Sequence, residues 1–179
     1  PDLDGNKVQH ISVFALARIP FLFYLGFKLS DKIETEIYQK HRDGNEGWFW
    51  EKKGKPVKFN LVEIKKGKQK EIFLLLSLSG RIRQDQIDKF DRFKGTIYEI
   101  SPATLEPGRN IIKSKVDLIS FIACYQKFLR LSEKNLIKEI HVFPAIPVSV
   151  AIACGRVHLK GISPKIKIYD ANNQNKFKF

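Results

Sequence analysis

The sequence predicts an α/β domain of two fused, pseudo-symmetric Rossmann-like halves, with mostly parallel sheets flanked by helices and an inserted basic β-hairpin. Three observations predict it. A stretch near the start, Ile11-Ser-Val-Phe14-Ala-Leu-Ala-Arg18-Ile-Pro20, returns near the end as Ile140-His-Val-Phe143-Pro-Ala-Ile-Pro147. Each copy runs on past a glycine, Gly26 or Gly155, to an Ile-Tyr pair, Ile37-Tyr38 or Ile168-Tyr169. Each also joins a β-branched and aromatic run, too short for a helix, to a proline that is tolerated at a helix start because it has no N–H to leave unpaired. A unit of strand, tight turn, helix and strand, occurring twice among other alternating strands and helices, implies a mostly parallel sheet.

In order, His10 to Leu16 reads as a buried strand and Pro20 marks the helix that follows it. That helix leads past Gly26 to a strand ending at Ile37-Tyr38. Lys40 to Gly47 is polar and turn-forming, and Trp48-Phe49-Trp50 follows on an extended segment, where residues two apart face the same way. Val57 to Ile64 is a candidate strand turned back at Lys66-Gly67-Lys68, which makes the basic hairpin. Glu71 to Leu78 is a near-continuous apolar run, as in a strand covered on both faces, and it ends in the small residues Ser77-Leu-Ser79-Gly80. Ile87, Phe90 and Phe93 form a helical stripe between Gln84 and Phe93, and Thr96 to Ile100 is another strand. The whole of 1–179 reads as one ligand-binding domain, its first half about 1–102 and its second about 114–179, joined through Ala103 to Lys113 with its Pro107-Gly108 pair. Ser114 and Asp117 form a capping-box pattern opening a long helix with Leu118, Phe121, Ile122, Tyr125 and Leu129 on its core face. That helix feeds Glu139 to Phe143 and the second copy.

The formal net charge of +13 favours an anionic partner. It is unevenly spread: Glu51 to Lys70 holds eight lysines against two glutamates. That segment reads either as a solvated hairpin protecting a sheet edge or as a nucleic-acid contact. The apolar stretch from Ile11 to Phe27 is broken by Arg18 and Pro20, so it is too short to span a bilayer. Without methionine and beginning at Pro1, the chain is expected to be a segment of a larger protein. Cys124 and Cys154 lie in apolar helical patterns and read as buried thiols in a reducing cytoplasm.

No catalytic constellation stands out. His10, His41, His141 and His158 lack metal-site spacing, and His10 and His141 read as hydrogen-bonded core residues. Asp85, Asp88 and Asp91 share a helical face with Lys89 and Arg92 beside them, a solvated salt-bridged surface. Neither a G-x-G-x-x-G nor a G-x-x-x-x-G-K-[ST] motif occurs, so no cofactor is expected. Nucleotide-binding residues are present instead. Trp48 and Trp50 can stack bases or plug the core, and Arg18, in the strand-to-helix turn, can hold a phosphate through two hydrogen bonds. Ser77, Ser79 and Gly80 end one strand, and Tyr169-Asp170 ends another, with a carboxylate able to accept from a ribose hydroxyl or base amine. Helix N-termini at the carboxyl ends of strands are where open α/β sheets bind ligands.

Together these residues resemble the SAVED domain of CBASS antiphage defence, itself similar to two fused CARF-type halves. The resemblance rests on Val13-Phe-Ala-Leu-Ala-Arg18-Ile-Pro20, on Ile37-Tyr-Gln-Lys-His-Arg42 followed by Trp48-Phe-Trp50, on Leu76-Ser-Leu-Ser-Gly80, and on Ile140-His-Val-Phe-Pro144-Ala-Ile-Pro147 through Ile168-Tyr-Asp170. It covers essentially the whole chain. It implies a cytoplasmic sensor of a cyclic oligonucleotide, a cyclic di- or trinucleotide made by a partner nucleotidyltransferase after infection. Ligand binding is then expected to drive self-association and activate a fused effector such as an HNH or other nuclease, a TIR domain or a protease, the HNH nuclease acting on DNA being the type it points to. On this reading Pro20, Tyr38, Arg42 and Pro144 join the ligand-binding candidates. The rival readings are a basic domain that binds RNA or DNA directly and an enzyme that cleaves cyclic nucleotides.

Overall fold

The two copies of the repeat fold alike, as a strand, a helix and a second strand parallel to the first. The computed structural model describes residues 8–29, 33–41, 46–52, 55–87, 90–172 and 176–177. In chain order the elements are β1 (His10–Val13), α1 (Ile19–Leu29), β2 (Glu34–Ile37), the short strands β3 (Lys40–His41) and β4 (Gly47–Trp48), β5 (Phe59–Lys65), β6 (Gln69–Ser77), β7 (Gly95–Pro102), α2 (Lys115–Lys134), β8 (Glu139–Ala145), α3 (Val148–Arg156) and β9 (Lys165–Ile168). Pro20 is the second residue of α1 and Pro147 the N-cap of α3, positions where the missing N–H leaves no hydrogen bond unmade. β1 pairs in parallel with β2, His10 opposite Glu34. β8 pairs in parallel with β9, Glu139 opposite Lys165.

The helices of the two copies cross at their glycines. A Cβ on Gly26 of α1 would lie 2.0 Å from the Ile152 carbonyl oxygen, and one on Gly155 of α3 would lie 2.0 Å from that of Phe23. The contact is reciprocal, as an approximate two-fold axis between α1 and α3 requires. Glycine is needed at both positions because backbone fills the place of a side chain.

β5-β7-β6-β8-β9 form one sheet, with β6 to β9 parallel and β5 antiparallel at one edge. The predicted basic hairpin does not form, because β7 lies between β5 and β6. A central slot is covered on both faces, which suits β7 with buried Ile97, Tyr98 and Ile100, whereas β5 exposes Asn60, Glu63 and Lys65 and suits an edge. The hairpin's lysines are thereby divided, Lys58 near the carboxyl ends of the parallel strands and Lys65 to Lys70 near their amino ends.

Alternate residues of the central strands enter two cores. Ile72, Leu74, Leu76, Ile140 and Val142 pack with residues of α1, α2 and α3, including Phe23, Phe121, Tyr125 and Val150. Phe73, Leu75, Ile97 and Phe143 pack on the other face with Ile82, Ile87, Phe90, Phe93 and Phe177. The expected helix over Gln84 to Phe93 is replaced among the described residues by two 3₁₀ turns, Gln84–Gln86 and Phe90–Arg92. Apolar residues exactly three apart suit about 3.0 residues per turn better than 3.6. Asp88 and Lys89 lie outside the described residues, and Asp85 pairs with Arg83 at 3.1 Å. Cys124 and Cys154 are buried free thiols. His141 is buried as expected, but His10 is not a core residue. It is exposed at the start of β1, with Nε2 3.2 Å from the Ser12 hydroxyl, since none of the described residues covers that end of the strand.

Candidate ligand-binding cleft

Past the carboxyl ends of the parallel strands lie two adjoining clefts that share Ser79 and Ile146 in their walls. The first, about 330 Å³, is bounded by Leu16 after β1, Gln39 and Lys40 after β2, the Arg109-Asn110 loop, and Pro147-Val148 where α3 begins. The second, about 380 Å³, is bounded by Ile19 where α1 begins, by Gly80 and Arg81 after β6, by Pro144 of β8, and by Asp170 after β9. Each cleft thus holds the N-terminal end of one repeated helix, the end whose partial positive charge favours anions.

Arg18 and Asp170, from different copies of the repeat, meet at this edge with Nε 3.1 Å from Oδ2. Side chains this exposed, 68% for Arg18, gain little from such a pair, so a phosphate can compete for the guanidinium. Ser79, Gly80, Pro144 and Asp170 all line the second cleft. Pro20 does not. It borders a separate apolar groove with Phe23, Tyr24, Phe27 and His158.

Three other candidates are occupied in holding the fold. Ser77 is fully buried, and its hydroxyl accepts the Ile82 N–H at 3.2 Å, so it shapes the turn after β6 from within. Tyr169 stacks on Phe143 at 4.7 Å, and its hydroxyl lies 2.7 Å from His141 Nδ1. Trp50 donates its indole N–H to the Ile37 carbonyl at 3.0 Å and packs on the main core. Trp48 stands edge-on to Phe14 at 5.7 Å, and Phe14 stacks on Tyr38 at 4.5 Å. Hydrogen bonding to Glu36 raises the Tyr38 phenol above its usual range. Arg42 lies outside the described residues.

Sequence reasoning missed Phe14, Leu16, Gln39 and the Arg109-Asn110 loop. Phe14 and Leu16 are 53% and 56% exposed although both sit in a run that reads as buried strand, because β1 ends at Val13 and the chain then leaves the sheet. Gln39 is buried, accepts from the Ser149 hydroxyl at 2.6 Å and from its N–H at 3.4 Å, and donates to the Lys40 carbonyl at 2.9 Å. The first copy of the repeat thereby caps the helix of the second. An available signal for these residues was the repeat itself, which places the residues after β1 and β2 beside those after β8.

The parallel sheet, the crossed repeat helices and a cleft at the carboxyl ends of the strands define a Rossmann-like ligand-binding domain. The family model of the SAVED domain, the SMODS-associated and fused to various effectors sensor domain, matches residues 2–179, and the chain belongs to that family. No match was found among curated proteins. The fold is similar to three solved structures of the Acinetobacter baumannii Cap4 SAVED/CARF-domain containing receptor. The one with the cyclic trinucleotide 2'3'3'-cAAA has TM-score 0.66 at 15% identity, covering 94% of this chain and 37% of that one. The one with 3'3'3'-cAAA gives 0.66 at 16% over the same shares. A third gives 0.61 at 14%, covering 92% and 34%. The chain therefore spans little more than a third of the receptors it matches.

Proposed function

We propose that this domain binds a cyclic oligonucleotide, a cyclic di- or trinucleotide, across the two clefts and leaves it chemically unchanged. The observation that carries the reading is the paired cleft, with each repeated helix presenting its N-terminus to one part and Arg18 paired with Asp170 in the wall of the second. An approximately two-fold site suits a ring of repeating phosphates. In this reading the domain is the sensory part of a CBASS antiphage effector whose remaining part, a nuclease, acts when ligand brings copies together. Cap4 binding of cyclic trinucleotides supports it.

Calorimetry with a panel of cyclic di-, tri- and tetranucleotides tests binding, and chromatography of the ligand after long incubation tests whether it survives. Tight binding of one member and recovery of intact ligand are expected; no binding to any member, or a linear product, overturns the proposal. Light scattering with the cognate ligand is expected to show a rise in mass, and a monomer at saturation would end the assembly part of the reading.

Arg18→Ala is expected to weaken binding by roughly 1.5–3 kcal/mol through loss of a charge-assisted contact. Trp48→Ala should cost about 1–3 kcal/mol in binding with the melting temperature preserved, if a base stacks beside Phe14 and Tyr38. Trp50→Ala should instead lower the melting temperature, because its N–H and ring are tied to Ile37 and the core. Normal affinity in both the Arg18 and Trp48 variants would place the ligand elsewhere.

A further inference from the structure

The lysines divided by the insertion of β7 do not scatter at the amino ends of the strands. Crossing the sheet along that edge, one meets Lys65 at the end of β5, Lys94 just before β7, Lys68 and Lys70 at the start of β6, Lys138 just before β8, and Lys165 opening β9. Backbone hydrogen bonds hold them side by side. The Lys68 N–H donates to the Lys94 carbonyl at 3.2 Å, that of Lys138 to Lys70 at 3.1 Å, and that of Lys165 to Lys138 at 3.1 Å. All six are exposed. Among the described residues, Glu139 beside the row is taken by Lys167 at 2.7 Å, and Glu71 stands exposed at the start of β6. Strands about 4.8 Å apart make the row roughly 19 Å long.

We infer that this edge is a second binding site, for the phosphate backbone of a nucleic-acid duplex, on the side of the sheet opposite the ligand cleft. Duplex DNA carries one negative charge per about 1.7 Å of axis, so a row of cations of this length can meet several phosphates at once. The row is made of lysines, flexible point charges suited to phosphate and carrying no base-reading geometry, so the contact is independent of sequence. A line of charge matches a linear polyanion better than a plane of lipid headgroups. Sheet order, not the run of lysines in the sequence, creates the site, since Lys94, Lys138 and Lys165 come from distant parts of the chain. The inference stands whether or not the cleft binds a cyclic oligonucleotide.

The test is fluorescence anisotropy of the 179-residue chain with a labelled duplex of about 20 base pairs and arbitrary sequence, over a range of salt. About five neutralised phosphates give a log–log salt slope near −4.5, so affinity should fall a few hundredfold between about 50 and 200 mM salt. Joint replacement of Lys68, Lys70, Lys94, Lys138 and Lys165 by glutamine should reduce affinity at least about 100-fold and bring the slope close to zero. A control with the same change in charge, Lys52, Lys55, Lys58, Lys113 and Lys127 to glutamine, should lose less than about fivefold. Circular dichroism checks that each variant folds, and the wild-type slope stands without any variant. Absence of duplex binding, equal losses in the two sets, or capture by phosphatidylserine vesicles without binding to duplex would each overturn the site.

Discussion

Replacing Gly26 by alanine is expected to destabilise the domain by about 3 kcal/mol, the upper part of the range for an overpacked core. The obstacle is backbone. The new methyl would meet the Ile152 carbonyl oxygen at 2.0 Å and the Arg156 nitrogen at 3.0 Å, one turn further along α3. No side-chain rotation relieves that, so α1 and α3 must separate and the packing of Leu22, Phe23, Val150 and Ala151 loosens with them. For a domain of this size the loss corresponds to a fall in melting temperature of about 6–12 °C, read by circular dichroism. Gly155→Ala should behave alike, since its methyl would meet Phe23 in the same way. The double variant should lose less than the sum, because helices parted by the first methyl leave room for the second. A wild-type melting temperature in either single variant would mean that the helices do not cross at these glycines. The helices begin at the cleft, so their separation should also weaken ligand binding.

Asp117→Ala is expected to cost a similar amount for a different reason. The carboxylate of this buried residue gathers four donors: Oδ2 accepts from the Lys113 N–H at 3.1 Å and from the Ser114 N–H and hydroxyl at 2.8 Å each, and Oδ1 accepts from the Val57 N–H at 2.8 Å. It thus caps α2 and ties the segment before β5 to that cap. Alanine leaves three backbone N–H groups without this acceptor, at about 1 kcal/mol or more each. Burial pushes the Asp117 pKa up, but the hydrogen bonds from Val57, Ser114 and Lys113 outweigh it and the net shift is downward. A carboxyl with a lowered folded value stabilises the fold fully above its unfolded value, about 3.9, and loses that contribution as pH falls through the folded value beneath it. The stability difference between wild type and Asp117→Asn should therefore shrink as pH drops below about 4 and be flat above pH 5. A difference that stays constant down to pH 2 would assign the capping role to other groups.

The parts of the fold legible in the sequence are those that short-range physics decides. The βαβ repeat was readable because a proline after a β-branched run says locally where a strand ends and a helix begins. The Ser114–Asp117 cap was readable because its partners lie three residues apart, and the core face of α2 because its period is fixed by the backbone. Arg18 and Asp170 could be named singly from their positions after a strand. Their pairing could not, as it needs β1 and β9 to be brought to one edge. Trp48 and Trp50 look equivalent in the chain, two residues apart, and only the position of the Ile37 carbonyl makes one a core plug.

By itself, then, the sequence determined the class of the fold, the repeat, its glycine and proline punctuation, and the surplus of positive charge, because each depends on residues near one another in the chain. The tertiary structure alone decided that β7 enters between β5 and β6, that Gln39 caps α3, that Ser77 turns inward, and that lysines in or beside the ends of five strands stand in one row. Strand order follows from competition among apolar segments for the slots covered on both faces. That competition is settled by burial across the whole sheet, and no window of the sequence contains it.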